Sequence, residues 1–211
     1  MRKPECIFLY QFRYISTIFT SFLIKTKITP NQITIISFLF GILAAISFLL
    51  GQYKYMIFGA IFFFLSYILD LVDGEIARYK NISSTFGHWL DKVSDSTTLF
   101  LVCVGISIGF FTQTKNPSTL ILGLFSLLIL ALIGIISVLY GSNKIIRKSK
   151  SLKISDSFYI GMYTPTVLLF IIGTLTKQIN LMFVIYLIIG SIALTRLFIS
   201  KYKLLKNMED N

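Results

Sequence analysis

The sequence predicts an all-α, polytopic membrane protein: six transmembrane helices preceded by an N-terminal amphipathic helix in the membrane interface. Three observations lead there. Of the 211 residues, 55% are hydrophobic and the mean hydropathy is +0.79, too apolar for a soluble domain. Six apolar stretches follow one another, each near the roughly 20 residues needed to cross a bilayer. Lysine and arginine gather between alternate stretches, the bias that sets orientation in a membrane.

Residues 1–28 offer no small-residue cleavage site, and Arg13 interrupts their apolar run, so they do not read as a cleavable signal peptide. Phe8, Phe12, Ile15, Phe19 and Phe22 recur at helical spacing, opposed by Gln11, Arg13, Thr17 and Thr20. That pattern predicts an amphipathic helix lying in the cytoplasmic interface, with packing on a partner helix as the alternative. Thr29 is placed to cap the next helix, and Pro30 stands at its first position, where a missing N–H costs nothing. The spans are expected at Asn31–Leu50, Tyr55–Ala77, Phe86–Phe111, Thr119–Tyr140, Ser157–Leu175 and Leu181–Ser200. The second and third are longer than a bilayer requires and should project into the cytoplasm. Connections are short, and no internal repeat is evident. The chain therefore reads as one domain: a juxtamembrane helix over 1–28, a six-helix bundle over 29–200 and a cytoplasmic tail over 201–211.

Seventeen of the 20 Lys and Arg residues fall on one side of this arrangement; only Lys54, Lys115 and Lys177 fall on the other. The positive-inside rule then puts both termini on the cytoplasmic face, in the cell or inner membrane. The same bias accounts for the net charge of +11 through topology and anionic lipid, without nucleic acid. Cys6 and Cys103 form neither a CxxC nor a disulfide framework. Gly105-x-x-x-Gly109 is a close-packing motif, equally suited to an internal helix contact or a homodimer seam. His88, the only histidine, lies off the acidic face described next, and Trp89 reads as an interface anchor.

Five of the nine acidic residues (Asp70, Asp73, Glu75, Asp91 and Asp95) lie between positions 70 and 95. Ionisable groups are costly at membrane depth and mark functional sites there. On a helix, Asp70, Asp73, Gly74 and Ala77 share one face; Gly87, Asp91 and Asp95, four apart, share another. The short polar connection from Tyr79 to Thr85 makes these two helices antiparallel neighbours. Four carboxylates then converge near one end of the pair. Such a group repels itself unless a cation neutralises it, and oxygen ligands without a His or Cys cluster favour Mg²⁺, Mn²⁺ or Ca²⁺ over zinc. Asp70, Asp73, Asp91 and Asp95 suffice for two ions, the arrangement that clamps both oxygens of a phosphoryl displacement. Gly74, Ala77 and Gly87 keep the backbone approachable, and the planar fork of Arg78 suits a phosphate oxygen.

The pattern Asp70-x-x-Asp73-Gly74-x-x-Ala77-Arg78, eight residues, Gly87-x-x-x-Asp91-x-x-x-Asp95 resembles the signature of the CDP-alcohol phosphatidyltransferases at every motif position. The resemblance implies six transmembrane helices, a homodimer and two Mg²⁺ or Mn²⁺ ions. It also implies transfer of a phosphatidyl group from CDP-diacylglycerol to a polar alcohol, phosphorylated or not, with release of CMP, in phospholipid biosynthesis. In the family the residue at Asp95 serves as base. Asp70, Gly74, Ala77, Arg78 and Gly87 would then cradle the nucleotide. Pro30-Asn31-x-x-Thr34 is similar to a stretch that borders the family's nucleotide pocket, making Asn31 and Thr34 candidate contacts beside their role in starting a helix. The basic run from Lys144 to Lys153 is either a topogenic loop or a rim for the acceptor, with Lys144 and Arg147 the first residues to test.

Two alternatives stay open. One is a different CDP-alcohol donor, or an inositol-phosphate-type acceptor, within the same family. The other is a divalent-cation transporter, which also needs intramembrane carboxylates. A transport path would carry acids toward the span centres and the outer side, and spans one, four, five and six contain none.

Overall fold

The computed structural model describes residues 7–141 and 164–209, and the account below concerns these. They form seven helices: α1 (Ile7–Leu23), α2 (Pro30–Leu49), α3 (Tyr53–Tyr79), α4 (Thr85–Thr114), α5 (Pro117–Gly141), α6 (Thr164–Leu175) and α7 (Ile179–Glu209). Five of these (α2, α3, α4, α5 and α7) contain stretches long and apolar enough to cross a membrane, and α6 is a shorter apolar helix. The protein is an all-α polytopic membrane protein. The expected fifth span, Ser157–Leu175, is helical from Thr164 onward, and its first residues lie outside the described ones, as do Lys144 and Arg147.

Local sequence explains the helix ends. Thr29 and Gln32 form a reciprocal capping box with Pro30 at the first turn of α2. Asn81, in the left-handed region at φ 54°, closes the end of α3, a conformation asparagine tolerates better than most residues. Ser84 then opens α4 by accepting from the Gly87 N–H at 2.9 Å. The whole turn from the second to the third span is thus five residues, yet the two helices do not pack along each other as the short connection predicted: each lies against α2, which takes the close contacts of both.

α2 packs against both α3 and α4. The Ser37 hydroxyl donates to the Ser66 carbonyl at 2.8 Å, Gly41 faces Thr98, and the Phe48 ring covers Gly59. Towards the far end, α2 and α4 touch backbone to backbone. A Cβ at Gly105 would stand 2.5 Å from the Ala45 carbonyl oxygen, and one at Gly109 would collide with the Phe48 carbonyl. The glycine pair is therefore consumed by an internal contact. α5 packs on α4 and α7, and α6 joins through Phe170, edge-on to Phe183 and Tyr186. The Tyr67 and Thr164 hydroxyls, 2.8 Å apart, link α3 to α6.

α1 departs from its expected face. Phe12 packs edge-on against Phe64 and Tyr67, and the buried stripe continues through Ile15, Ser16, Thr20 and Leu23. Thr20, expected on the polar side, is buried, while Phe19 and Phe22 point outward. The physical reason is Glu75: its carboxylate takes hydroxyls from Ser16 (2.7 Å) and Thr20 (2.6 Å), so α1 turns its small hydroxyl residues inward. α1 is thus a partner helix of α3 on one face and presents Tyr14, Ile18, Phe19 and Phe22 on the other.

Candidate functional site

The acidic residues meet where α3 ends and α4 begins. Carboxylate oxygens of Asp70, Asp91 and Asp95 all lie within 4.8 Å of one another. Asp70 and Asp91 are half-buried, and Asp95 is buried at 9% exposure. Oxygen donors so close together, with no nitrogen or sulfur ligand among them, suit a hard divalent cation. Three like-charged groups held this near one another by two helices repel, and a bound cation would relieve that repulsion.

Asp73 is set apart from this group of three. It is buried, and its Oδ2 lies 2.5 Å from the Thr34 hydroxyl on α2. Thr34, read from the sequence as a nucleotide contact, is itself buried and spends its hydroxyl on Asp73, with the Pro30 carbonyl also in reach at 3.2 Å. A carboxylate offers roughly four acceptor positions, so one hydroxyl orients Asp73 and leaves others open.

The small residues of the motif have identifiable neighbours. The Arg78 guanidinium folds back over Gly74, and a Cβ there would sit 3.3 Å from one of its terminal nitrogens. Ala77 is half-buried one turn beyond Asp73. Gly87 faces α2: a Cβ would stand 2.8 Å from Asn31 Oδ1 and 3.1 Å from Ser84 Oγ. The backbone that Gly87 keeps approachable is approached by the Asn31 side chain. Asn31 and Thr34 therefore do reach the acidic end, one against α4 and the other against α3.

Sequence reasoning missed two further contacts at this end. Glu75 belongs to the acidic window but turns its back on the cluster. Five residues after Asp70, it sits about 140° round the helix, facing α1. Lys80 sends its amine to the carbonyls of Thr26 (2.9 Å) and Ile28 (3.0 Å) in the α1–α2 connection. The available signal was the Ser16-x-x-x-Thr20 pair, two hydroxyls one helical turn apart within an otherwise aromatic stripe.

The helices and the site together define a polytopic membrane protein with a cluster of carboxylates, a candidate cation site, at one end of two successive spans. Residues 27–196 match the family model for CDP-alcohol phosphatidyltransferase, and the chain belongs to that family. Among curated relatives, it is 39% identical over 83 residues to a bifunctional IPC transferase and DIPP synthase of Aquifex aeolicus, covering 39% of this chain and 18% of that protein. It is 30% identical over 184 residues to a protein of the same name from Archaeoglobus fulgidus, covering 84% of this chain and 34% of that one. The chain thus spans about a third or less of the length of these relatives. Its fold is similar to that of Mycobacterium tuberculosis phosphatidylinositol phosphate synthase solved with CDP-DAG bound (TM-score 0.68, 15% identity, 89% of this chain and 93% of that one). A second structure of that synthase, in complex with manganese and citrate, aligns at a TM-score of 0.57 and 20% identity, covering 87% and 88% of the two chains.

Proposed function

We propose that this protein is a metal-dependent CDP-alcohol phosphatidyltransferase whose acceptor is an inositol phosphate or a closely similar phosphorylated polyol. The observation that carries the reading is the meeting of Asp70, Asp91 and Asp95 carboxylates within 4.8 Å, in a chain matched to the family over residues 27–196. The acceptor class is supported by the name of the phosphatidylinositol phosphate synthase that shares the fold. Its CDP-DAG and manganese complexes support a CDP-diacylglycerol donor and a Mn²⁺ or Mg²⁺ requirement.

Asp70, Asp91 and Asp95 would hold the divalent ions, with Asp73 completing the set beside Asp70. Ions bound there supply Lewis-acid neutralisation of the pyrophosphate charge during an in-line displacement. Asp95 accepts the proton of the acceptor hydroxyl as its oxygen attacks the phosphorus distal to the cytidine. The bond from that phosphorus to the bridging oxygen breaks, and CMP departs with the oxygen. Arg78, lying over Gly74, offers its planar fork to a phosphate oxygen, and Ala77 keeps the adjoining face low. Asn31, against Gly87, orients the nucleotide end. Both termini and the site are assigned to the cytoplasmic side, where a water-soluble nucleotide product is released. A homodimer, as the family resemblance implies, would use a surface other than the Gly105–Gly109 contact.

The test is incubation of purified protein with CDP-diacylglycerol, Mn²⁺ and a panel of alcohols that includes inositol phosphate, glycerol phosphate and serine. CMP release with inositol phosphate, abolished by chelation and restored by Mn²⁺ or Mg²⁺, is expected. CMP release with serine or glycerol phosphate instead would reassign the acceptor. Uptake of Mn²⁺ into vesicles without CMP release would replace the enzyme with a cation transporter.

A further inference from the structure

The chain from Ser16 to Thr34 wraps around the acidic end of α3 and is fastened to it at successive points. Behind the site, the two oxygens of Glu75 take the Ser16 and Thr20 hydroxyls at 2.7 and 2.6 Å. At the tip, the Lys80 amine holds the Thr26 and Ile28 carbonyls at 2.9 and 3.0 Å. At the front, Thr34 reaches Asp73, and Asn31 fills the space beside Gly87. Ser16 is fully buried and Thr20 nearly so, so these hydroxyls have exchanged water for one carboxylate. Neither Glu75 nor Lys80 belongs to the Asp70–Asp91–Asp95 group.

We infer that Glu75 and Lys80 are positioning residues for the transfer reaction: they hold residues 16–34 as a strap around the end of α3, so that Asn31 and Thr34 are delivered to the site. The inference rests on the phosphatidyltransferase reading for its kinetic consequence. The strap itself can be observed without turnover. Charge-assisted hydrogen bonds from two buried hydroxyls make Glu75 the stronger fastening, and the paired carbonyls on Lys80 fix the loop that leads into α2.

The experiment compares Glu75→Ala, Glu75→Gln and the Ser16→Ala/Thr20→Val pair in purified full-length protein. Two readouts are used: amide hydrogen exchange over residues 12–34, and the kcat and KM for CDP-diacylglycerol. Glu75→Ala and the Ser16/Thr20 pair should each speed exchange in that segment and raise KM by about tenfold, the scale of one hydrogen bond to a charged group, with kcat changed far less. Combining them should add nothing further, because both remove the same fastening. Glu75→Gln should restore most of the wild-type KM. Its amide can donate to Ser16, which then donates to the Arg13 carbonyl already 3.1 Å away. Unchanged exchange in Glu75→Ala, additive losses, or a fall in kcat alone would overturn the strap. If Glu75→Ala does not fold, the Ser16/Thr20 pair and Lys80→Met give the same two readouts. Wild-type protein that shows protected exchange but releases no CMP with any alcohol would sink the enzymatic reading and leave the strap standing.

Discussion

Thr34 Oγ1 lies 2.5 Å from Asp73 Oδ2, and that one hydroxyl joins the first span to the second where the carboxylates gather. Both residues are buried, so the bond has no water to replace it. Removing the donor leaves a buried carboxylate free to turn, at the expense of its alignment beside Asp70. Thr34→Val, nearly isosteric, should raise the Mn²⁺ concentration for half-maximal CMP release by about tenfold, the scale of one hydrogen bond to a charged group. Thr34→Ser keeps the hydroxyl and should stay close to wild type. A metal titration of activity for the two variants decides the matter; equal titration curves would make the Thr34 bond incidental.

The second prediction concerns the Gly105 and Gly109 pair, whose Cβ positions run into backbone carbonyls of Ala45 and Phe48 rather than into flexible side chains. Neither α2 nor α4 can yield locally without losing its own packing. Gly109→Ala should therefore lower the melting temperature in detergent, for a cost of about 1–3 kcal/mol from overpacking. The oligomeric state, read by light scattering, should not change. A variant that melts normally but changes mass would return these glycines to a seam between copies.

These two cases show how far the sequence reaches. Motif spacing and a five-residue turn bring Asp70, Asp91 and Asp95 to the same end of α3 and α4, but the sequence did not show that α2 holds both helices in place of their packing on each other. Span positions follow from hydropathy, since a long apolar segment satisfies its own backbone in lipid by forming a helix. The long-range partners were not legible. Gly105-x-x-x-Gly109 signals close approach without naming the helix that approaches. The seven phenylalanine and isoleucine residues of α1 outweigh Ser16 and Thr20 in any reading of its faces, yet a carboxylate 55 residues away from Thr20 decides which side turns inward. Periodicity records which residues share a face. It carries no record of a single polar partner on another helix.

Orientation gives the third prediction. The Lys and Arg excess predicts that the α3–α4 turn lies inside and the α4–α5 turn outside. Ser83 and Gln113 are exposed in these two turns or next to them, so cysteine at either should react freely where solvent reaches it. In a background without Cys6, with buried Cys103 retained, a membrane-impermeant maleimide should label Gln113→Cys in intact cells and Ser83→Cys only after permeabilisation. The reverse pattern would put the acidic site on the outer face and break its link to a soluble nucleotide product.

The last prediction separates the proposed base from its neighbours. Asp95 is the most buried of the three close carboxylates, and Asn at this position keeps the shape while losing the ability to take a proton. General-base catalysis typically contributes about 10²–10⁴-fold, so Asp95→Asn should lower kcat by that order. Binding of CDP-diacylglycerol, measured directly by titration, should remain within about threefold of wild type, because Asp70, Asp73 and Asp91 would still hold ions for the pyrophosphate and the amide oxygen introduced at position 95 can still serve as a neutral ligand. Asp70→Asn should behave differently. Its carboxylate lies within 4.8 Å of those of both Asp91 and Asp95 and has no proton to take in the reaction, so its loss should weaken Mn²⁺ binding and donor binding together. Two variants with the same profile would mean that Asp95 acts only as a metal ligand; an Asp95→Asn protein with normal turnover would move the base elsewhere.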